Sequence, residues 1–425
     1  MKESKTPAFG GGEFWQTAER LGHDLGQVSA GNEVTSFLLA ATMPEAQALL
    51  CFADAERRRK RGETFFDAIR ERATLGQGLH DRGEAVLFAD GTTREQDRLP
   101  LERHFPLPIK AVSVREKIVA PGEVWDVSAC ISDWEGRNVN EFYTIVNVET
   151  LILQPGASLV VRGNIFTLVC QRVVVQGAAG PDGGHIGILP APRTYGARGD
   201  GSPGERGRNG GNGTNGGHAT RPIVPSGILG PILTAMREDM PLDGEPGTDG
   251  EAGENGGRGE NGGACKLAEL NLRQLDGAGL PLVVYVRPGA GTRGGDGGNG
   301  GNGGNGGNGA AGYRTLNGLL ADGRGGTGGA GGTGGNGGVG GHGGLASNVY
   351  VVVPVEQEGL VIRQTFPGLP GEGGAGGNGG NPGDNGQDGG QLPRTNAALH
   401  HGQLGRPGRQ GRARPTPPVF LNEHL

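Results

Sequence analysis

Glycine recurs at every third position through five separate stretches of this chain, Gly201–Gly216, Gly244–Gly262, Gly291–Gly312, Gly323–Gly344 and Gly368–Gly389. That register limits the backbone more than anything else in the sequence. Helical sequences repeat every 3.6 residues and strands every 2, whereas the polyproline II helix has three residues per turn and rises about 3.1 Å per residue. Flexible glycine/serine linkers hold no register. Each third residue therefore lies along one edge of a three-edged rod. Within 294–308, residues 294, 297, 300, 303 and 306 make one bare edge and 295, 298, 301, 304 and 307 a second, while Asp296, Asn299, Asn302, Asn305 and Asn308 decorate the third.

Such a rod makes no internal hydrogen bonds, and ordering glycine costs more backbone entropy than ordering any other residue. Its N–H and C=O groups must find partners on adjacent rods, which only glycine edges let come close enough. The expected fold is a polyglycine II bundle within one chain. The three longest stretches each span 21 steps, about 65 Å at that rise, and equal rods stack flush. The two shorter ones keep one continuous glycine edge and carry charge: Glu205, Arg206 and Arg208 in one, Glu245, Asp249, Glu251, Glu254, Arg258 and Glu260 in the other. They belong on the periphery. Between Gly312 and Gly323 the ten residues YRTLNGLLAD suffice for a tight reversal. Collagen requires glycine near one third and abundant proline; here glycine is 90 of 425, and only Pro203 and Pro246 fall in the two charged stretches.

The remainder divides by pattern, giving a mainly β and irregular chain with a small helical start. Residues 1–85 read as a helical region: a helix from Pro44 carries Ala46, Leu49, Leu50 and Ala53 on one side, the cations Arg57 to Arg61 close it in solvent, and Gly62 breaks it. A second helix over 63–74 places Phe65, Phe66, Ile69 and Ala73 together. Residues 86–176 read as a β-rich domain of solenoid or sandwich type, with short runs such as 144–148, 158–161 and 165–170 separated by turns. Residues 177–411 form the bundle with interspersed strands, since LPLVVYV at 280–286 and VYVVVPV at 349–355 repeat the theme and join distant points to one sheet. Residues 412–425 are an extended tail; the arginine- and proline-rich 391–425 suits an arm that lies on the acidic 244–262 stretch or reaches a partner.

Charge and motifs exclude more than they assign. A net charge of −6 from 39 basic and 45 acidic residues lacks the footprint of nucleic-acid or anionic-membrane binding. The start, MKESKTPAFGGGEFWQ, has charge and glycine where a secretory signal needs an apolar stretch, and apolar runs of seven residues do not span a membrane. The chain is expected in the cytoplasm or on a virion or injection apparatus. Cys51, Cys130, Cys170 and Cys265 have no metal or disulfide spacing and read as small buried residues. GxGxxG occurs inside the stretches, but period-three glycine removes the helix that a dinucleotide site needs. No catalytic residue, cofactor or metal site is expected. The enzyme alternative rests on Asp126, Asp133 and Glu135 beside Trp125 and Trp134, and a carbohydrate-binding alternative on those tryptophans.

The interrupted GGN and GGA wording resembles the glycine-rich domain of distal tail-fibre adhesins of T-even-like phages, and GGTGGAGGTGGNGG resembles mycobacterial PE-PGRS proteins. Both likenesses cover about 177–411. The first implies a sandwich of polyglycine II rods whose loops bind a host receptor. The expected function is then a non-enzymatic, adhesin-like structural or surface-recognition protein. Its contact loops hold Ile223, Ile228, Leu229, Tyr313, Arg314, Leu316 and Leu319, its partner is a protein or surface glycan receptor, and its N-terminal region joins a larger assembly. Ice binding is a further alternative, because flat glycine-rich bundles present regular polar rows.

Overall fold

The computed structural model describes residues 12–63, 80–91, 105–134, 141–180, 183–191, 202–221, 226–227, 230–231, 242–277, 279–312, 314–315, 318–319, 321–390 and 400–425. The described chain is mostly β, with few and short helices. An edge strand, β1 (Val34–Ala40), runs antiparallel to β2 (Leu107–Val119). From there the chain alternates between two sheets. β3 (Val124–Asp126) lies in the smaller sheet, β4 (Phe142–Leu153) in the larger, β5 (Ser158–Arg162) in the smaller, β6 (Asn164–Val175) in the larger and β7 (Ile186–Leu189) in the smaller. Strands that follow one another in the same sheet pair in parallel, as β2–β4, β4–β6, β3–β5 and β5–β7 do.

After β7 each passage back to the larger sheet is interrupted by an excursion through two glycine tracts. The first goes out along 202–219, passes the short pair β8 (Ser226–Gly227) and β9 (Gly230–Pro231), and returns along 244–262 to β10 (Ala268–Leu272) and β11 (Leu275–Asp276). β12 (Leu282–Val286) then adds to the smaller sheet beside β7, and the second excursion leaves along 291–312. It reverses at β13 (Arg314–Thr315) and β14 (Gly318–Leu319), which pair as expected of YRTLNGLLAD, and returns along 323–344 to β15 (Val349–Val352). β16 (Val361–Thr365) precedes the third excursion, out along 368–389 and back along 400–412, and β17 (Val419–Leu421) completes the larger sheet beside β15.

The core lies between the sheets: Val112, Val146, Leu168, Leu270 and Val351 from the larger face Leu159, Ile186, Val284 and Val286 from the smaller. The larger sheet is buried on its other side too, where Leu49, Leu50 and Phe88 cover Ile109, Ile145, Ile165 and Tyr350. Burial on both faces explains why its parallel strands read as continuous apolar runs.

Three expectations change here. The helix predicted from Pro44 through Arg61 is two helices: Met43–Leu50 ends at Cys51, whose backbone is extended, and a second helix runs through 55–63. Asp54 starts the second one, its Oδ1 accepting the Arg57 N–H at 2.9 Å. Gly62 lies inside it. The cationic run does not sit wholly in solvent, because this new start turns Arg61 onto the sheet, where its side chain is 0% exposed. The helix predicted over 63–74 lies outside the described residues beyond its first position. Of the arm expected in 391–425, residues 391–399 lie outside the described residues, and 400–425 are instead a sixth glycine tract, with Gly402, Gly405, Gly408 and Gly411 in register, followed by β17.

The six tracts lie in two layers of three. Within one layer, Gly207 and Gly210 donate to Asp296 O and Asn299 O, and Gly297 donates to Ala375 O, each at 2.8 Å, so the three outgoing tracts are parallel. The returning tracts form the second layer, also parallel: Gly250 donates to Ala330 O and Gly337 to Arg406 O, both at 2.8 Å. Between layers the direction reverses, with Gly298 donating to Glu254 O and Gly301 to Glu251 O at 2.8 Å. The outgoing layer repeats the order β7, β12, β16 and the returning layer the order β10, β15, β17. Each sheet thus continues into one layer, so the parallel sheets set the order in which the tracts lie.

Candidate functional site

Neighbour number is written in the triplets. In the third and fourth tracts both glycines of each GGX triplet face another backbone: a Cβ on Gly303 would overlap Gly329 O and one on Gly304 would overlap Thr214 O, far inside the 3.0 Å that real Cβ contacts respect. The first tract keeps only one such row, Gly207, Gly210, Gly213 and Gly216. The fifth has a second glycine row, Gly373, Gly376 and Gly379, that meets Gly408, Gly405 and Gly402 of the sixth, and Pro382, Asn385 and Asp388 continue that row. The first two tracts lie at one edge, as their charge predicted, and the fifth and sixth form the other.

Those edges are finished differently. At the first, the row Arg208, Gly211 and Gly217 has no further tract to donate to, and carboxylates substitute for its carbonyls: Glu254 Oε2 accepts from Arg208 N–H at 3.3 Å, Glu251 Oε2 from Gly211 at 3.1 Å and Glu245 Oε2 from Gly217 at 3.2 Å. Thr248 Oγ1 accepts from Thr214 N–H at 2.7 Å. At the second, Pro407 lies in a row that faces no further described tract, and Pro370 and Pro382 lie in the row of Gly373, Gly376 and Gly379, whose N–H groups donate to no other tract, so a missing N–H costs nothing in either. His400 O accepts from Gly331 N–H at 2.9 Å, and one and two triplets earlier in the fourth tract Asn385 and Asp388 side chains accept from Gly328 and Gly325 at 3.0 and 2.8 Å.

The outer surface of the outgoing layer is a carboxamide lattice. Asn209, Asn212 and Asn215 accept from the N–H groups of Asn299, Asn302 and Asn305 at 2.8–2.9 Å. Asn299 and Asn302 in turn accept from Asn378 and Asn381, both at 2.9 Å. Asp296 interrupts this lattice with charge; the Ala375 N–H at 2.7 Å and then Arg293 hold its carboxyl below the usual range.

Of the predicted contact residues, two are described. Arg314 and Leu319 are backbone register partners in the β13–β14 pair. Ile223, Ile228, Leu229, Tyr313 and Leu316 lie outside the described residues. The enzyme and tryptophan alternatives gain no geometry. Asp126 pairs with Arg162 at 3.0 Å, Asp133 caps the Cys130 N–H at 2.8 Å, and Glu135 lies outside the described residues. Trp125 and Trp134 are 8% and 7% exposed, so neither offers a face for a sugar ring. Cys130 departs from the expected burial and is exposed, with Ser132 Oγ 2.9 Å from its Sγ; Cys170 and Cys265 are buried, and burial pushes the Cys170 thiol up to about 12.

One charged cluster had no sequence signal. Arg61 pairs with Glu269 at 3.2 Å and Glu423 at 3.0 Å, lies 4.2 Å above the Tyr350 ring, and is held charged by both carboxylates against the cost of burial. Its partners are 208 and 362 residues away, beyond any local pattern. It ties the N-terminal helices, the larger sheet and the C-terminus together. Among the described residues no helix is long and apolar enough to cross a membrane. No protein family, curated protein or solved structure matches the chain.

Proposed function

We propose that the tracts form a polyglycine II bundle and that the protein is a non-enzymatic recognition platform, adhesin-like in organisation. The observation that carries this reading is the connectivity: three successive returns to the larger sheet are each extended into an out-and-back tract pair, so that the tract ends at 219 and 244, 312 and 323, and 389 and 402 lie at the end remote from the sheets. Period-three hydrogen bonding and the absence of positive φ among the described tract glycines support the polyglycine II geometry. A platform of this kind holds contact segments on backbone hydrogen bonds instead of a side-chain core, so the ends can vary without disturbing it. The opposite end offers β1, a sheet-edge strand with Phe37 and Leu39 exposed, for attachment to a larger assembly.

Replacing 313–320 and 391–399 by short glycine–asparagine turns tests the reading. The melting temperature is expected to stay within a few degrees while adsorption of the labelled protein to cell-envelope preparations is lost; unchanged adsorption rejects the contact role of these ends. The carboxamide lattice favours a second reading, ice binding, because it repeats in two directions, about 9 Å along a tract and about 4.8 Å between tracts. Thermal hysteresis of the purified protein decides it.

A further inference from the structure

The outer surface of the returning layer differs from its carboxamide counterpart. Three tracts contribute three consecutive positions each: Asn255, Arg258 and Asn261; Asn336, Val339 and His342; Arg406, Arg409 and Arg412. Side chains bind them into a grid. Asn255 Oδ1 accepts from Asn336 N–H at 2.7 Å and Asn336 Oδ1 from Arg406 N–H at 2.9 Å. Asn261 Oδ1 accepts from His342 N–H at 2.8 Å and His342 Nδ1 from Arg412 N–H at 2.9 Å. The arginine carbonyls are fixed as well, accepting from Gly337, Gly340 and Gly343 at 2.8–2.9 Å. Cation spacing along the sixth tract is therefore set by backbone, about 9 Å per step.

Nothing anionic occupies the grid. None of its nine positions is acidic, Arg406, Arg409 and Arg412 are exposed, and among the described residues no carboxylate pairs with them. Arg258, Arg412 and Arg414 all bear on His342, and the buried Nε of Arg414 has no hydrogen-bond partner. With Nδ1 accepting a backbone N–H, the neutral His342 ring carries its proton on Nε2, a further donor. The chain as a whole is −6 and its other edge is lined with glutamates, so an anionic polymer favours this face over that edge.

We propose that this face binds a linear acidic polysaccharide along the row Arg406, Arg409 and Arg412, with Arg258 and His342 beside it. A polysaccharide with one anionic group per disaccharide spaces its charges at an interval comparable to the row. Nucleic acid fits less well: its phosphates follow about every 3.4 Å along a strand, and the face holds no aromatic ring of Phe, Tyr or Trp on which bases would stack. The inference deepens the recognition-platform reading and rests on it, moving one contact from the ends to the flank.

The test uses the full chain and hyaluronate oligosaccharides, with chondroitin sulfate, neutral dextran and oligo-dT as companions, each titrated at two salt concentrations. Hyaluronate or chondroitin sulfate should bind in a salt-sensitive way and dextran should not. Arg406→Gln/Arg409→Gln/Arg412→Gln should weaken binding about tenfold or more, three screened contacts at a factor of about two to five each, with melting unchanged. The single variant Arg409→Glu, whose N–H is not part of the grid, should weaken it in the same direction. Equal affinity of the triple variant and the parent overturns the inference, as does tighter binding of oligo-dT than of either glycan. Replacing 313–320 and 391–399 should leave glycan binding intact. If that replacement abolishes it while the triple variant binds normally, the flank site fails and the platform reading survives; if cell-envelope adsorption ignores the ends and glycan binding follows the arginines, the reverse holds.

Discussion

Gly303 and Asn305 stand two positions apart and differ in everything that matters to folding. A side chain on Gly303 collides with the backbone of 329–330, which cannot retreat without breaking the tract beyond it. Asn305 is exposed and its side chain only accepts the Asp384 N–H at 2.9 Å. Gly303→Val is expected to cost more than about 4 kcal/mol and to abolish cooperative unfolding, whereas Asn305→Ala costs about 1 kcal/mol or less; calorimetry on both variants separates these outcomes. His185 supplies a different test. Its Nδ1 accepts from Val283 N–H at 3.0 Å and its Nε2 faces Gly177 O at 3.2 Å, and burial holds its pKa below the ordinary value. Burial lowers His23 in the same direction. A depressed folded-state pKa means that the unfolded chain takes up protons first, so stability is complete above about pH 6.5 and erodes as pH falls below it. The urea midpoint should drop between pH 7.5 and 5.5, and drop less in His185→Gln; a midpoint that rises on acidification contradicts the assignment.

At the scale of elements, the tracts solve an edge problem that strands also face. A row of free N–H groups invites another chain, and this protein closes one edge with glutamates and fills the other with prolines. Removing two caps together, Glu251→Ala/Glu254→Ala, leaves Arg208 and Gly211 without acceptors. The expected loss is about 1–2 kcal/mol, on the scale of helix-cap deletions, with faster amide exchange along 205–214 and little change at the central tracts. Equal exchange along both would show the carboxylates to be incidental. The helix break at Cys51 belongs to this scale too, since Thr167 Oγ1 donates to the Leu50 carbonyl at 2.7 Å where the next helical N–H would have bonded.

Over the whole molecule, the three excursions depend on sheets that are assembled from both ends of the chain. Arg61 is the joint. Arg61→Ala leaves Glu269 and Glu423 buried without their cation, at an expected cost of about 3–5 kcal/mol, and should release β17 before the rest of the fold; limited proteolysis near the C-terminus reads this out. Retained protection of residues 419–425 would mean that strand pairing alone holds them.

Period and triplet composition together carried the tracts, their peripheral order and the tight reversal at 313–322, because each glycine's missing side chain is itself the record of a neighbouring backbone. The same logic would have found the sixth tract from Gly402, Gly405, Gly408 and Gly411, had the surrounding arginines and prolines not read as an arm. The strands were legible as apolar runs, but their division between two sheets was not, since a strand buried on both faces loses the alternation that assigns it a side. The burial of Arg61, the direction of each tract and the pairing of each layer with a sheet depend on groups hundreds of residues apart. A local sequence window holds neither partner of such a contact, so only the assembled backbone decides it.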